Sequence, residues 1–134
     1  MAHSRRNIAP LLDTLSVYDR VIEVGIGRRT DVVAALIDED VSVTATDVHD
    51  RDVPDGVRFV RDDIVDPDSS IYADADAMYA LNLPPELHRP TLEVARTADA
   101  VFLFTTLGGD QPAVPVERRT IETGTLYVAQ PMGR

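Results

Sequence analysis

The chain has 134 residues, enough for one domain around one core; 44% are apolar, and there is no Cys and no Trp. Without Cys there is no disulfide framework and no thiolate chemistry, and no apolar run reaches the roughly 18 residues of a membrane span. The 23 acids, 17 of them Asp, face 13 basic residues that are all Arg, for a net charge of −10.

Asn7 to Val17 reads as a short first helix, with Ile8, Leu11, Leu12 and Leu15 at helical spacing and Pro10 in its first turn. Arg5 and Arg6 precede a segment broken by Pro10 and Asp13, so no signal peptide is read there and the expected compartment is the cytoplasm. Arg20 to Val24 is a strand with almost no alternation, as in a strand buried on both faces. Thr30 is the expected N-cap of the next helix, with Asp31 in its first turn and Val32, Val33, Leu36 and Ile37 on one face. Val41 to Thr46 and Val57 to Arg61 are the second and third strands, joined by a loop with Pro54 and Asp55-Gly56. Asp66-Pro67 is expected to start a short helix reaching Tyr72, and Ala77 to Leu81 is the fourth strand. Pro84-Pro85 opens a turn into a helix that has Pro90 near its start and runs to Thr97. Ala100 to Thr105 is the fifth strand, broken by Gly108-Gly109-Asp110, and Thr125 to Ala129 is a sixth. Alternating strands and helices predict one α/β domain over 1–134. It is a three-layer, Rossmann-like, doubly wound and mostly parallel sheet of about six strands.

The Asp-rich, Lys-free composition reads as that of a salt-in halophile, an archaeon, whose self-repulsion is relieved by salt. An acidic surface argues against a nucleic-acid partner, although in a halophile it also reads as solvent adaptation. No membrane partner is expected.

The chemistry gathers at the ends of the first three strands. Val21-Ile22-Glu23-Val24-Gly25-Ile26-Gly27 ends a strand in a glycine loop, and Asp47 follows twenty residues after Gly27 (47 − 27 = 20). That is the spacing of one β-α-β crossover, in which a backbone approaches a nucleotide and a carboxylate grips its ribose. A third acid lies in Val57-Arg58-Phe59-Val60-Arg61-Asp62-Asp63-Ile64, where a carboxylate can accept from an adenine amino group. Each feature also has a plain reading: a tight turn, a solvated strand-end Asp, an acidic loop. Their joint occurrence in order favours the nucleoside site. Glu23 lies inside an apolar strand, where a carboxylate is costly unless paired or facing a polar cleft. It either welcomes a cationic amino group of a ligand or pairs with Arg20, Arg28 or Arg29.

The segments 21–27, 44–47 (Thr-Ala-Thr-Asp) and 59–64 resemble the first three motifs of class I S-adenosylmethionine-dependent methyltransferases. The resemblance implies that Glu23, Gly25 and Gly27 line the methionine end of the cofactor, Asp47 the ribose and Asp63 the adenine. The chain as a whole resembles the uncharacterised protein family numbered 0146, small archaeal proteins with a truncated version of that fold. Its Pro84-to-Leu87 segment and closing strand both fit. Two departures stand out. Arg28 and Arg29 follow Gly27 where a third small residue is usual, so that they either bind a carboxylate or phosphate or pair with surface acids. Little chain follows the fifth strand to build a substrate wall, so methylation of generic polymers is not expected.

Asn82-Leu83-Pro84-Pro85 stands where some amino-methylating enzymes carry Asn-Pro-Pro-Tyr, but a rigid strand-to-helix turn is the preferred reading. His3, His49 and His88 are scattered and read as loop or surface residues, and no metal site is predicted. No catalytic base is identifiable. The leading expectation is a protein that binds S-adenosylmethionine, a small nucleoside-type ligand, with methyl transfer left open as its activity. The alternatives are a non-catalytic module for a nucleoside ligand or a protein partner, and nicotinamide-nucleotide binding.

Overall fold

The computed structural model describes residues 2–131, with side chains from residue 8 onward. Helix α1 (Ala2–Leu15) starts five residues before the expected Asn7. Pro10 therefore lies inside the helix and not in its first turn. Ile8, Leu11, Leu12 and Leu15 are all buried on one stripe, and that burial offsets the backbone bond lost at the proline. The side chains of His3, Arg5 and Arg6 lie outside the described residues.

The chain then forms β1 (Arg20–Val24), α2 (Asp31–Asp38), β2 (Ser42–Asp47), β3 (Arg58–Arg61), β4 (Ala77–Ala80), α3 (His88–Ala98), β5 (Val101–Phe104), β6 (Glu117–Ile121) and β7 (Gly124–Ala129). One sheet runs in the order β3-β2-β1-β4-β5-β7-β6. Strands β1 to β5 are parallel, and β7 pairs antiparallel with both β5 and β6.

Alternation along the strands sorts the core into two layers. Val21, Ala77, Tyr79, Leu103, Leu126 and Val128 pack with α1 and α2 on one face. Ile22, Val24, Met78, Phe102, Phe104 and Tyr127 pack with Leu92 and Ala95 of α3 on the other. This is the three-layer Rossmann-like architecture. From β1 the chain moves out through β2 to β3, then returns to lay β4 on the other side of β1. The carboxyl ends of β1 and β4 thus flank the topological switch point, where open sheets of this kind bind ligands.

Two elements differ from expectation. The sheet has seven strands, because β6 was not foreseen: four of its five residues are exposed and no apolar alternation marks them. It is held at the edge by its hairpin with β7, whose turn is Glu122-Thr123. The helix expected from Asp66 to Tyr72 is a single 3₁₀ turn, Ser69–Ile71. Asp68 caps it, accepting from the Ser70 N–H at 3.1 Å and the Ser70 hydroxyl at 2.6 Å. Asp66, Asp68, Ser69 and Ser70 are exposed, so no apolar face extends it.

Candidate functional site

The glycine loop leaves β1 in the left-handed region. Gly25 has φ +67° and Gly27 φ +61°, which residues with a Cβ rarely adopt. Nothing lies within 4 Å of where a Cβ would stand at either position. The loop is therefore bare backbone facing open space, and it leads into α2. Thr30 occupies the N-cap of α2, yet its side chain makes no capping bond. Asp31 does this work instead: its Oδ1 accepts the Val32 N–H at 2.9 Å and the Arg29 Nε–H at 2.8 Å. Arg29 thus pairs with a local acid, one of the two readings open from the sequence.

Asp47, the last residue of β2, is only 7% exposed, which excludes the solvated strand-end reading. One carboxylate oxygen accepts the Gly27 N–H at 2.8 Å, and the other accepts the His49 N–H at 3.0 Å. Arg51 Nε stands 3.4 Å from Oδ2. Burial pushes this carboxyl up, but the two backbone donors and Arg51 outweigh it and hold it below its ordinary value. The twenty-residue spacing therefore has a structural meaning of its own: Asp47 latches the glycine loop to the tip of the second strand. Its anionic oxygens still have lone-pair capacity for a ligand hydroxyl. Beside it Val48 is 48% exposed, an apolar side chain left uncovered just past β2 that sequence reasoning did not single out.

Glu23 is 2% exposed and sits in register with Tyr79 of β4. The Tyr79 hydroxyl donates to Glu23 Oε1 at 2.6 Å. Its hydrogen-bond partner is thus a phenol 56 residues away and none of the three arginines considered. Burial, only partly offset by Tyr79 and Arg29, pushes the Glu23 carboxyl up to about 8. The same burial, with Glu23 beside it, raises the Tyr79 phenol.

The two neighbouring acids after β3 divide their roles. Asp62 turns back to accept the Tyr72 hydroxyl at 2.6 Å and the Asp68 N–H at 3.1 Å. Asp63 is exposed at the crevice edge, its Oδ1 accepting only the Val65 N–H at 3.0 Å. On the other side of the switch point Asn82 follows β4 with φ +54°, its N–H bonded to Thr105 Oγ1 at 2.8 Å. The next residues form the turn expected of Pro84-Pro85, a 3₁₀ turn over Pro85–Leu87 that runs into α3.

His88 was expected to be a loop or surface residue but is fully buried at the start of α3. The Ala113 N–H donates to Nδ1 at 3.0 Å, so Nε2 carries the hydrogen and donates to the Leu83 carbonyl at 2.9 Å. Its ring packs on Phe104, with centroids 4.5 Å apart. Both nitrogens are used, Nδ1 tying α3 to the segment after β5 and Nε2 to the turn after β4, so His88 is a structural residue. His49 is exposed, as expected. Among the described residues no helix is long and apolar enough to cross a membrane.

The fold has close counterparts among solved structures. A TehB-like SAM-dependent methyltransferase from Corynebacterium glutamicum superposes with a TM-score of 0.61 over 97% of this chain and 98% of that one, at 17% identity. The Burkholderia thailandensis 1,6-didemethyltoxoflavin-N1-methyltransferase, solved with 1,6-didemethyltoxoflavin and S-adenosylhomocysteine, gives 0.55 at 22% identity. It aligns with 98% of this chain, which spans 62% of its length. In sequence, a UPF0146 protein of Halobacterium salinarum is 52% identical over 117 residues, 87% of this chain and 91% of its own. The profile of the uncharacterised protein family UPF0146 matches residues 6–131, and this chain belongs to that family.

Proposed function

We propose that the crevice outside β1, β2 and β3 binds S-adenosylmethionine or its demethylated product, and that methyl transfer is the activity it serves. One observation carries this reading. Gly25 and Gly27 present open, left-handed backbone at the switch point, and that backbone is latched from below by the ionised Asp47. Such a cradle suits a nucleoside whose ribose hydroxyls reach Asp47, while the exposed Val48 and Asp63 offer an apolar contact and an acceptor for a base. The bound S-adenosylhomocysteine of the Burkholderia enzyme, on the same fold, supports the choice of cofactor. Orientation of an acceptor against the sulfonium methyl would then supply most of the rate. The cytoplasm remains the expected compartment.

Calorimetric titration in molar potassium chloride tests the reading. S-adenosylhomocysteine should bind, and NAD should bind at least tenfold more weakly. Gly25→Asn, a side chain that tolerates the left-handed backbone and enters the open space, should abolish the heat of binding while far-UV circular dichroism shows the chain folded. NAD binding without affinity for either adenosyl compound would move the site to the nicotinamide alternative. Binding of neither would leave a non-catalytic module for a protein partner.

A further inference from the structure

Next to the glycine loop lies a second concavity, a cleft of about 590 Å³. It is enclosed by α1, the carboxyl ends of β4 and β5, and the β6–β7 hairpin. Its size is that of a pocket for a small molecule. Its wall is selective in charge. In a chain of net charge −10, no carboxylate lines this cleft among the described residues, and its one charged group is Arg29. Asn82, Thr105, Thr123 and Thr125 add uncharged hydrogen-bonding groups. Thr105 Oγ1 already accepts the Asn82 N–H, which leaves its hydroxyl hydrogen to donate into the cleft.

Arg29 is held in a particular way. Asp31, anchored at the start of α2 by the Val32 N–H, takes the Arg29 Nε–H at 2.8 Å. Both the hydrogen bond and the ion pair of Arg29 run through Nε and not through the terminal nitrogens of the guanidinium. An arginine tethered through Nε keeps its two terminal amino groups as a planar fork, which matches the two oxygens of a carboxylate.

We propose that this cleft binds a small carboxylate-bearing molecule, with Arg29 as the carboxylate fork and Asp31 as the residue that positions it. The inference rests on the adenosyl-cofactor reading above for one of its two sources. The carboxylate belongs either to the amino-acid end of that cofactor, entering past the glycine loop, or to a separate small acid.

The test compares the full chain with Arg29→Gln in molar potassium chloride, using three probes. S-adenosylhomocysteine carries the carboxylate, 5′-methylthioadenosine lacks it, and citrate is a small acid without a nucleoside. If the cofactor supplies the carboxylate, the wild type binds S-adenosylhomocysteine more tightly than methylthioadenosine by on the order of tenfold or more. In Arg29→Gln that ratio falls to about one, with methylthioadenosine affinity unchanged. If a separate acid is the source, the ratio survives the substitution, but citrate raises the melting temperature of the wild type and not of the variant. Asp31→Asn, which keeps the guanidinium but loosens its tether, should show the same loss to a smaller degree. Arg29 is exposed, so the variant should fold; far-UV circular dichroism verifies this. The proposal is overturned if neither the nucleoside ratio nor the citrate response depends on Arg29. Methylthioadenosine binding with that result would leave the cofactor reading standing. An Arg29-dependent citrate response with no nucleoside binding would do the reverse.

Discussion

The tips of β1 and β2 each bury an acid on the way to the same loop, and the two acids differ in charge. Glu23 is 2% exposed and its carboxyl is pushed up to about 8, so at neutral pH it is largely protonated. Asp47 is 7% exposed and its carboxyl is held below the ordinary value, so it is ionised. Burial alone cannot explain the contrast. Asp47 receives two backbone N–H groups and a guanidinium, which together solvate an anion. Glu23 receives one phenol from inside a sheet layer packed with aliphatic side chains. The lesson is that two buried acids on neighbouring strands divide the work: Asp47 holds the loop as an anion, and Glu23 ties β1 to β4 as a neutral acid. Only the first has the anionic oxygens that hold ribose hydroxyls well.

The largest break in this comparison should come from Glu23→Gln. In the unfolded chain Glu23 ionises near 4.5 and in the fold near 8. Between those values the unfolded chain has lost a proton that the fold keeps. The contribution of Glu23 is thus fully present below about 4.5 and is lost as pH rises through 8. Gln keeps an acceptor for Tyr79 without titrating. The stability difference between the two chains should change by roughly 4 kcal/mol from pH 4.5 to pH 9, in favour of the variant at high pH. Urea unfolding across that range measures it, and parallel pH profiles would show that Glu23 is not held neutral.

A smaller effect is expected of Asp47→Ala, about 2–3 kcal/mol at pH 7, because the Gly27 and His49 N–H groups and Arg51 all lose their acceptor. The sign with pH is opposite to that of Glu23. The stability from Asp47 is present above its unfolded value of 3.8 and disappears as pH falls through the lower folded value. A variant as stable as the wild type at neutral pH would mean that the glycine loop needs no latch.

The parts of this account legible in the sequence are those with local signals. Six strands were visible as apolar runs bounded by Gly, Pro and Asp, and each lies within two residues of its observed limits. Gly25, Gly27 and Asp47 were visible through spacing. What was hidden depends on partners distant in the chain. Edge strand β6 carries no burial pattern, because Glu117, Arg118, Arg119 and Thr120 face solvent and only pairing with β7 makes it a strand. His88 looked like a surface residue because its two partners are Leu83 and Ala113, the latter 25 residues away. Glu23 could not reveal Tyr79, which lies in a strand laid beside it only after three crossovers. The Arg29–Asp31 tether is local, and a charged pair two residues apart at the start of a helix was a signal that could have been used.

The central claim is that an adenosyl cofactor lies across the glycine loop with its ribose at Asp47 and its base toward Val48 and Asp63. Amide chemical-shift mapping of the ¹⁵N-labelled chain, titrated with S-adenosylhomocysteine in molar salt, examines it residue by residue. The account predicts the largest shifts at Gly25, Gly27, Val48 and Asp63, with β3-side and glycine-loop amides moving together and the amides of α3 unmoved. Saturable shifts confined to other parts of the sheet, or none at these four residues at saturating ligand, would contradict it.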